Sequence, residues 1–476
     1  MSAIWREHGR GAVVVLAVAL GVLSLTAVFV VAAYDPLDVK LRSQNLSYTR
    51  TLISARPDLA FSPDGNWVAV VWTEGHSEVA GFVGHVYLRG AREMDDAWQQ
   101  KVQVFSGSSS AYAYDTAVAV MGGVAHLVYA VFEFEGGQRA RTGVRYRTCA
   151  LPDGPCGAEE SVFTDPTYLI TQVDIALDGD GDPHVIWARF NEPGDVGDVL
   201  YSTRGAGGWE SETWLDESWV MVDSMPAIAW EGGYVHAVWE SERDLGDNQK
   251  ESYIYYRRRE DQTDVWDSAI PVVPRQTRYP PGNPDVAGGA GRVFVVWDWC
   301  TTKDLNDEYC EKYNLVYSRA EVTGTVFFSD WKEVGTDKLT MWQEYYSTDS
   351  VESGYLSVED EYLLDLQPAV TLSRHGWPAV AWHANRSHQG TLSKDYAVYY
   401  TYAITGTETS VDWITPTIVS GDQLAKQGSA TIGVGEPMTD SQILDHRLHV
   451  AYMRQQSAGG WDVYDSSEWP IKNAVY

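Results

Sequence analysis

Three aspartates alternate with glycines in one short stretch of the chain, from Asp178 through Asp180 to Asp182. This spacing lets successive carboxylates converge on a hard cation such as calcium, which takes oxygen ligands. Asp-Gly pairs are equally typical of a tight hairpin between two strands, because glycine adopts a positive φ angle without steric cost. The stretch lacks the glutamate that completes an EF-hand loop. The sequence therefore leaves open a calcium site at these three aspartates and a turn without a ligand.

Six further charged residues follow short apolar runs and could form a ligand site. They are Arg189, Arg243, Arg386, Arg454, Glu133 and Glu240. Arginines that gather around an anionic group bind it through paired hydrogen bonds. Two carboxylates at a suitable separation catalyse glycoside hydrolysis. Charged residues in loops are often simply solvated, so we treat the six as candidate ligand-binding residues and assign no catalytic residue.

Histidine occupies one equivalent place in four of the apolar runs, at His126, His184, His236 and His449. Four histidines suggest a metal, but packed sheets lie ~10 Å apart and zinc–nitrogen bonds are only ~2.0–2.1 Å long. We therefore predict a structural role for these histidines. The sequence contains no Gly-rich phosphate loop, Gly-x-Ser-x-Gly elbow or His-Glu-x-x-His motif, and calcium is the one cofactor that it leaves open.

The elements that must position these residues repeat along the chain. An apolar run that ends in an aromatic residue recurs seven times, and its closing residues are Trp72, Tyr129, Trp187, Trp239, Trp297, Trp382 and Tyr452. A small apolar run precedes each copy, and a strand centred on tyrosine follows it. Four short strands at a repeated interval are typical of a propeller blade. We predict an all-β fold, a seven-bladed β-propeller of four-stranded blades, preceded by one N-terminal transmembrane helix.

The propeller is predicted to span residues 48–476 as one domain, with the closing aromatics packed between adjacent blades. The fifth interval between closing aromatics is the longest, because it holds an acidic and aromatic insert at 332–366. Long loops inside compact domains are usually functional or disordered, and the aromatic residues favour an ordered flap or a partner-binding arm. Closing the ring requires strands from both chain ends, so we expect residues 47–54 to pair beside residues 469–475.

The N-terminus carries an uncharged apolar stretch at 11–33, which follows two arginines in residues 1–10. A span of ~20 apolar residues crosses the hydrocarbon core as a helix, whereas the core of a signal peptide is usually ~7–15 residues long. Arginines on the short side keep residues 1–10 in the cytoplasm. The body then lies on the extracytoplasmic side, at a cell surface or in a periplasm, behind a linker at 34–47. A long cleaved signal is the alternative, and it would make the protein secreted.

The four cysteines fall into two close pairs, Cys149 with Cys156 and Cys300 with Cys310. Neither pair has the spacing of a zinc site. Two local disulfides in an oxidising compartment are predicted, with free buried thiols as the alternative.

The chain is strongly acidic, with 35 Lys and Arg against 66 Asp and Glu and a formal net charge of −31 at pH 7. Such a body repels phosphate backbones and anionic lipid surfaces, so nucleic acid is disfavoured as a partner. Cationic partners or divalent metals fit better, and contact with the membrane is predicted to occur through the N-terminal helix.

The repeat resembles the sialidase-like, or BNR-type, family of propellers, many of which are bacterial surface proteins. The strands that carry the resemblance include Pro183-His184-Val185-Ile186-Trp187 and Leu200-Tyr201-Ser202. Sialidases of this family share Ser-x-Asp-x-Gly-x-x-Trp turns and a Phe-Arg-Ile-Pro segment, and this sequence has neither. The resemblance therefore implies the fold but transfers no catalytic residue.

Three functional hypotheses follow from the sequence. The first is a membrane-anchored extracytoplasmic propeller that acts as a binding or scaffold module for a protein or a glycan. The alternatives are an accessory subunit of a larger membrane complex and a divergent sialidase-like or other carbohydrate-active enzyme. Because the sialidase motifs are absent, we favour a role without catalysis.

Overall fold

The computed structural model describes most of the chain between residues 42 and 468. The described ranges are 42–49, 52–78, 81–92, 97–191, 196–216, 221–246, 249–261, 263–276, 281–303, 310–326, 328, 332–334, 341–342, 367–373, 376–388, 391–407, 410–413, 417–419, 427–435, 447–455 and 461–468. Within these ranges, no helix is long and apolar enough to span a membrane. The predicted transmembrane segment at 11–33 and most of the insert at 332–366 lie outside the described residues.

The described residues form short β-strands, which confirms the predicted all-β class. The first strand is β1 (Arg42–Asn45), and blade 1 follows with β2 (Ile53–Phe61), β3 (Trp67–Glu78), β4 (Gly81–Arg92) and β5 (Val102–Phe105). Blade 2 contains β6 (Ala111–Met121), β7 (Val124–Glu135), β8 (Gln138–Ala150) and β9 (Glu160–Asp165). Blade 3 contains β10 (Leu169–Leu177), β11 (Pro183–Phe190), β12 (Gly197–Gly205), β13 (Gly208–Trp209) and β14 (Thr213–Trp214).

The remaining strands repeat the same order. Blade 4 contains β15 (Val222–Glu231), β16 (Tyr234–Gly246), β17 (Gln249–Glu260), β18 (Val265–Trp266) and β19 (Ile270–Gln276). Blade 5 contains β20 (Pro281–Gly289), β21 (Arg292–Lys303), β22 (Cys310–Glu321), β23 (Lys332–Glu333) and β24 (Met341–Trp342). Blade 6 contains β25 (Ala369–Leu372), β26 (Pro378–His388), β27 (Thr391–Thr407), β28 (Ser410–Trp413) and β29 (Thr417–Ile418). Blade 7 contains β30 (Gln427–Gly435), β31 (Arg447–Gln455) and β32 (Trp461–Glu468), with β1 beside β32.

The blades are arranged as a ring. Within each blade the three long strands pair antiparallel in chain order. The first strand of each blade contacts the first strand of the next, from β2 through β6, β10, β15, β20 and β25 to β30, and β30 contacts β2. In the part of the chain that the structure describes, seven blades therefore surround a central channel.

The hydrophobic core lies between neighbouring blades, as predicted for the closing aromatics. Side chains alternate across a strand, so the aromatic that ends each second strand faces one neighbouring blade. Trp187, for example, is fully buried against Val144 and Tyr146 of blade 2, and its ring contacts Phe163 with centroids 5.2 Å apart. Each of the other six closing aromatics lies in a cluster with residues of the blade that precedes it.

The ring is closed by one carboxylate, Asp462 of β32, which is almost fully buried. Its Oδ2 accepts a hydrogen bond from Asn45 Nδ2 at 2.6 Å, and its Oδ1 accepts bonds from Ser47 Oγ at 2.9 Å and Thr49 N at 2.8 Å. Ser47 Oγ in turn accepts a bond from Val463 N at 3.0 Å. Charge-assisted hydrogen bonds are stronger than neutral ones, so Asp462 fastens the N-terminal segment to the last blade.

The closing strand is not the one predicted from the sequence at residues 47–54. The structure uses the earlier segment Arg42–Asn45, which pairs antiparallel with β32, whereas residues 53–61 form the innermost strand of blade 1. Leu46, which follows β1, is fully buried, and its backbone N–H donates a hydrogen bond to Val463 O of β32 at 2.8 Å. These contacts hold β1 beside β32. The expected partner at 469–475 lies outside the described residues.

One of the predicted disulfides is confirmed. Cys149 at the end of β8 is bonded to Cys156, seven residues later, across a tight turn before β9. Cys300 is also disulfide-bonded. The side chain of its predicted partner, Cys310, lies outside the described residues.

We predict that Asp462→Ala lowers the free energy of unfolding by about 2–4 kcal/mol, because it leaves several hydrogen-bond donors without their charged acceptor. Chemical denaturation followed by fluorescence measures the loss. The matched control is Asp153→Ala, at an exposed position in the turn before β9. It should change the stability by less than about 0.5 kcal/mol. Equal effects of the two substitutions would contradict the closure role of Asp462.

We predict that replacing both Cys149 and Cys156 by serine lowers the stability by about 2–3 kcal/mol, because the disulfide closes a short loop. Thermal melting of the variant against the wild type measures this effect. Thiol titration of the unreduced wild type should find no reactive cysteine. Four titratable thiols in that protein would contradict the disulfide assignment.

Candidate functional site

A β-bulge occurs at the same place in the innermost strands and shapes the central channel. The register of the pairing between first and second strands shifts after Ala55, Ala113, Thr171, Ser224, Gly282 and Gly428. Five residues at the equivalent place adopt positive φ angles, namely Arg56 (52°), Gln172 (55°), Met225 (48°), Asn283 (47°) and Gln367 (39°). All five line a cavity of about 310 Å³ in the channel.

The sequence explains why the bulges form where they do. A proline follows the bulged residue in four blades, at Pro57, Pro226, Pro284 and Pro368. Proline has no N–H group, so the bulge at these positions leaves no backbone donor without an acceptor. The residue before each proline adopts the left-handed conformation, which is uncommon for residues other than glycine. Because this conformation recurs around the channel, it belongs to the repeated blade structure.

Three aspartates that line the channel link the blades together. Each accepts a hydrogen bond from a backbone N–H of the next blade: Asp58 from Val118 at 2.7 Å, Asp174 from Ile228 at 2.8 Å, and Asp285 from Val370 at 2.7 Å. Each carboxylate also accepts the N–H of the residue that follows it. These bonds satisfy donors that no strand ladder reaches, because the first strands of neighbouring blades do not pair with each other.

The aspartates occupy alternate blades of the ring. Blades 1, 3 and 5 carry the acids, and the equivalent residues of blades 2, 4 and 6 are Ala117, Ala227 and Ala369. Blade 7 carries Thr431, whose Oγ1 donates to Asp58 Oδ1 at 3.2 Å. Alternation with small side chains keeps like charges apart while it lets each carboxylate reach the next blade.

The environment of these acids raises their pKa values. Burial is the main cause in each case, and it raises the pKa of Asp58 to about 6 and that of Asp285 to about 7. The pKa of Asp174 is raised well above its ordinary value by burial and by the charges of the other two acids. The three aspartates are partly accessible to solvent in the channel, and the walls of the channel are formed by the innermost strands. The site therefore holds carboxyl groups that exchange protons near neutral pH.

Other polar side chains continue this network around the channel. Arg56 forms an ion pair with Asp115 at 3.2 Å and stacks on Tyr114. Asp115 Oδ2 accepts a hydrogen bond from Val173 N at 3.1 Å, and Gln172 Oε1 accepts one from Met225 N at 2.9 Å. The arrangement can hold a small polar ligand or a cation. In the structure, however, these ion pairs and hydrogen bonds join one blade to the next.

The candidate ligand-binding residues chosen from the sequence lie near the C-terminal ends of the second strands, at the same end as the bulges. Arg189 is buried, donates to Asp198 at 2.9 Å and lies between the rings of Tyr168 and Trp214. Such a guanidinium is held in place by the protein itself.

The other five residues are distributed over several blades. Glu133 is paired with Arg141 and Arg145, and Glu240 accepts a hydrogen bond from Asn283 N at 3.4 Å. The guanidinium of Arg454 lies over the ring of Tyr464 at 5.1 Å, Arg243 is exposed, and the side chain of Arg386 lies outside the described residues.

The aspartate turn at 178–182 lies between β10 and β11. Asp178 Oδ1 accepts the N–H groups of Asp180 at 2.9 Å and Asp182 at 2.8 Å, which is how a short acidic residue stabilises a turn. Asp180 and Asp182 are exposed. Among the described residues, Asp178 forms a cluster of candidate metal ligands with His184 and Asp261, and not with Asp180 and Asp182.

The equivalent histidines each contact the neighbouring strand of their own blade. The Nδ1 atoms of His126 and His236 lie 2.7 Å from the hydroxyl groups of Tyr146 and Tyr256. His449 Nδ1 instead lies 3.0 Å from a carboxylate oxygen of Asp465. Burial lowers the pKa of His126 and of His236 to about 4, so both are neutral at physiological pH. These contacts fit the structural role that we predicted.

Comparisons with known proteins place the fold among known architectures. No family model matches the sequence, and no curated protein matches it either. The polysaccharide lyase Uly1 is 12% identical with a TM-score of 0.50, over 90% of this chain and 100% of that chain. A protein of unknown function from Dyadobacter fermentans is 11% identical with a TM-score of 0.48, over 90% and 98% of the two chains.

A mutant sialidase of Trypanosoma rangeli that displays trans-sialidase activity also matches, at 9% identity and a TM-score of 0.45, over 90% of this chain and 59% of that chain. The chain is a β-propeller. The match to Uly1 agrees with the propeller fold that the sequence predicted, and this β-propeller has no sequence match that assigns it an activity.

We predict that the channel acids make this β-propeller more stable at pH 5 than at pH 7.5. Their pKa values are higher in the folded protein than in the unfolded chain, so their contribution is complete below about pH 4 and is lost as the pH rises through 6 to 7. The slope is at most about 1.4 kcal/mol per pH unit for each proton, and water in the channel reduces it.

Urea denaturation across this pH range tests the prediction with Asp285→Asn, which removes one titrating group. The variant should show a smaller loss of stability between pH 5 and pH 7.5 than the wild type. Asp153→Asn, at an exposed site, is the control and should keep the wild-type slope. An unchanged slope in Asp285→Asn would show that this acid does not titrate as described.

Proposed function

We propose that this β-propeller is an extracytoplasmic binding and scaffold module, tethered to a membrane by residues 11–33. The observation that carries the proposal is that the charged side chains around the channel and Arg189 are engaged in contacts within the protein. Asp58, Asp174 and Asp285 hold neighbouring blades together, and Arg189 is enclosed by an acid and two rings. Charges engaged in this way suit a rigid platform, whereas catalysis requires groups directed at a substrate.

The disulfide between Cys149 and Cys156 supports the location. Disulfides persist in oxidising compartments and are rare in the cytosol. In the proposed topology the short N-terminus remains in the cytoplasm and the blades lie outside, which agrees with the positive charge that precedes the apolar stretch.

The position of β1 limits how far the body can lie from the membrane. Strand β1 begins at Arg42, soon after the proposed anchor ends at Ala33. The eight residues between them span at most about 30 Å when fully extended. In this arrangement the outer edge of blade 7 lies nearest the membrane, and the tether restricts the orientations of the ring.

The net charge of −31 supports a partner with a basic surface. Electrostatic complementarity speeds association and suppresses contacts with other acidic molecules. A protein partner fits this charge better than a neutral or anionic glycan. We place the partner at the mouth of the channel formed by the hairpins between second and third strands, which include exposed Glu135.

We predict that the full-length protein, purified in mild detergent, retains a stoichiometric protein partner at low salt and releases it at high salt, because salt screens exposed charges. Cross-linking followed by quantitative mass spectrometry identifies the partner. Glu135→Lys should weaken the association by several-fold. Asp153→Lys, which makes the same charge change on the opposite face, is the control and should leave the association intact.

Two results would overturn the proposal. Release of unsaturated or reducing sugars from a panel of polysaccharides would assign the β-propeller to the carbohydrate-active alternative. A partner that stays bound at high salt through the membrane segment alone, with both variants unaffected, would favour an accessory subunit of a larger complex.

A further inference from the structure

A second site lies between blades 3 and 4, on the face opposite the proposed partner surface. Asp178 is in the turn between β10 and β11, His184 is on β11, and Asp261 follows β17 of blade 4. One ligand atom from each of these residues lies within 4.8 Å of the others. The three residues come from two blades, and this juxtaposition is created by the packing of the ring.

The imidazole of His184 distinguishes this site from a chance cluster of acids. His184 is 1% exposed, and its Nε2 is buried with no hydrogen-bond partner. This atom points to Asp178 Oδ2 at 3.5 Å, which is beyond hydrogen-bond distance. A buried ring nitrogen without a partner is costly, so its place beside Asp178, with Asp261 in the same cluster, points to a ligand at this position.

The equivalent histidine of blade 4 provides an internal comparison. His236 has the same neighbour on the third strand as His184, because its Nδ1 lies 2.7 Å from Tyr256 Oη. Its Nε2, however, lies 3.3 Å from the backbone oxygen of Glu231 and is therefore satisfied by the protein. The Nε2 atom of His184 therefore differs from that of His236, its equivalent in the neighbouring blade.

Neighbouring groups hold two of the three ligands in place. Tyr201 Oη lies 2.5 Å from His184 Nδ1, so the opposite ring nitrogen, Nε2, is directed at Asp178. Asp178 Oδ1 accepts two backbone N–H groups of its own turn, which leaves Oδ2 on the side of His184. Fixed histidine and carboxylate orientations are typical of the groups that support a metal site.

We infer that Asp178, His184 and Asp261 bind one divalent transition-metal ion such as Zn²⁺, which links blade 3 to blade 4. Ligand atoms ~2.0–2.2 Å from a tetrahedral ion lie ~3.3–3.6 Å apart, and the separation of His184 Nε2 from Asp178 Oδ2 is 3.5 Å. A nitrogen with two carboxylate oxygens suits a borderline ion, whereas calcium takes oxygen ligands alone.

Three protein ligands leave one position of a tetrahedral ion for water or another group. Arg259 also approaches the site, with Nη1 3.8 Å from Asp261 Oδ1, while its Nη2 donates to Asp264 at 2.5 Å. This guanidinium offsets part of the acidic charge when the metal is absent, so we expect the metal-free protein to fold and the ion to add stability.

The test uses the full-length protein in detergent, freed of metal by dialysis against a chelator. Isothermal titration should find one equivalent of Zn²⁺ bound, and Zn²⁺ should raise the melting temperature. His184→Gln and Asp261→Asn should each lower the Zn²⁺ affinity at least tenfold. The control, His236→Gln, changes the equivalent histidine of blade 4 and should retain wild-type binding.

Circular dichroism of each variant distinguishes loss of the site from loss of the fold. Asp261 is only half-buried, so its variant keeps the test decisive if His184→Gln fails to fold. Equal Zn²⁺ binding by the wild type and by Asp261→Asn would overturn the inference. Calcium binding that depends on Asp180 and Asp182 but not on His184 would also overturn it, and would assign the turn to an oxygen-ligand site.

Discussion

The architecture depends on the need to satisfy backbone N–H groups where neighbouring sheets meet around the channel. Within a blade, each strand meets this need through its ladder with the next strand, but neighbouring innermost strands face the channel and do not pair with each other. A buried donor without an acceptor costs about 1–3 kcal/mol, and the same geometry recurs around the ring. Asp58, Asp174 and Asp285 meet the requirement from alternate blades.

This solution has an electrostatic cost. A carboxylate that bridges two blades must be drawn into a narrow space lined by protein, where its charged form is disfavoured. The raised pKa values of these acids express that conflict between hydrogen bonding and desolvation. Placing alanine at Ala117, Ala227 and Ala369 limits the conflict, because directly adjacent acids would also repel one another.

The parts of the structure that the sequence predicts are those governed by local pattern. Trp187 and the other closing aromatics could be assigned to the core because apolar residues at strand period face a neighbouring sheet. Cys149 and Cys156 could be paired because they are close in sequence and lie in one connection. Both inferences use relations between residues within one repeat.

The parts that escaped the sequence analysis depend on contacts between repeats. Arg42–Asn45 has no apolar alternation, so nothing in its own residues marks it as the closing strand. The role of Asp174 could have been suspected, because an acid precedes the same apolar-Ala pair in blades 1, 3 and 5, but its acceptor function requires the neighbouring blade. Asp261 joins His184 only through the packing of blade 4 on blade 3.

The pairing of β1 with β32 also determines the order in which the molecule can assemble. Asn45 and Asp462 are 417 residues apart, so the first strand to be synthesised must wait for the last. Bringing together the ends of a loop of this length costs about 5 kcal/mol in chain entropy, in addition to a constant term. Until that contact forms, β32 presents an open edge to other chains, and pairing between unfinished molecules competes with closure. A membrane anchor just before β1 would hold newly made chains in the plane of the membrane. Their local concentration there would then decide whether β32 pairs with its own β1 or with another chain.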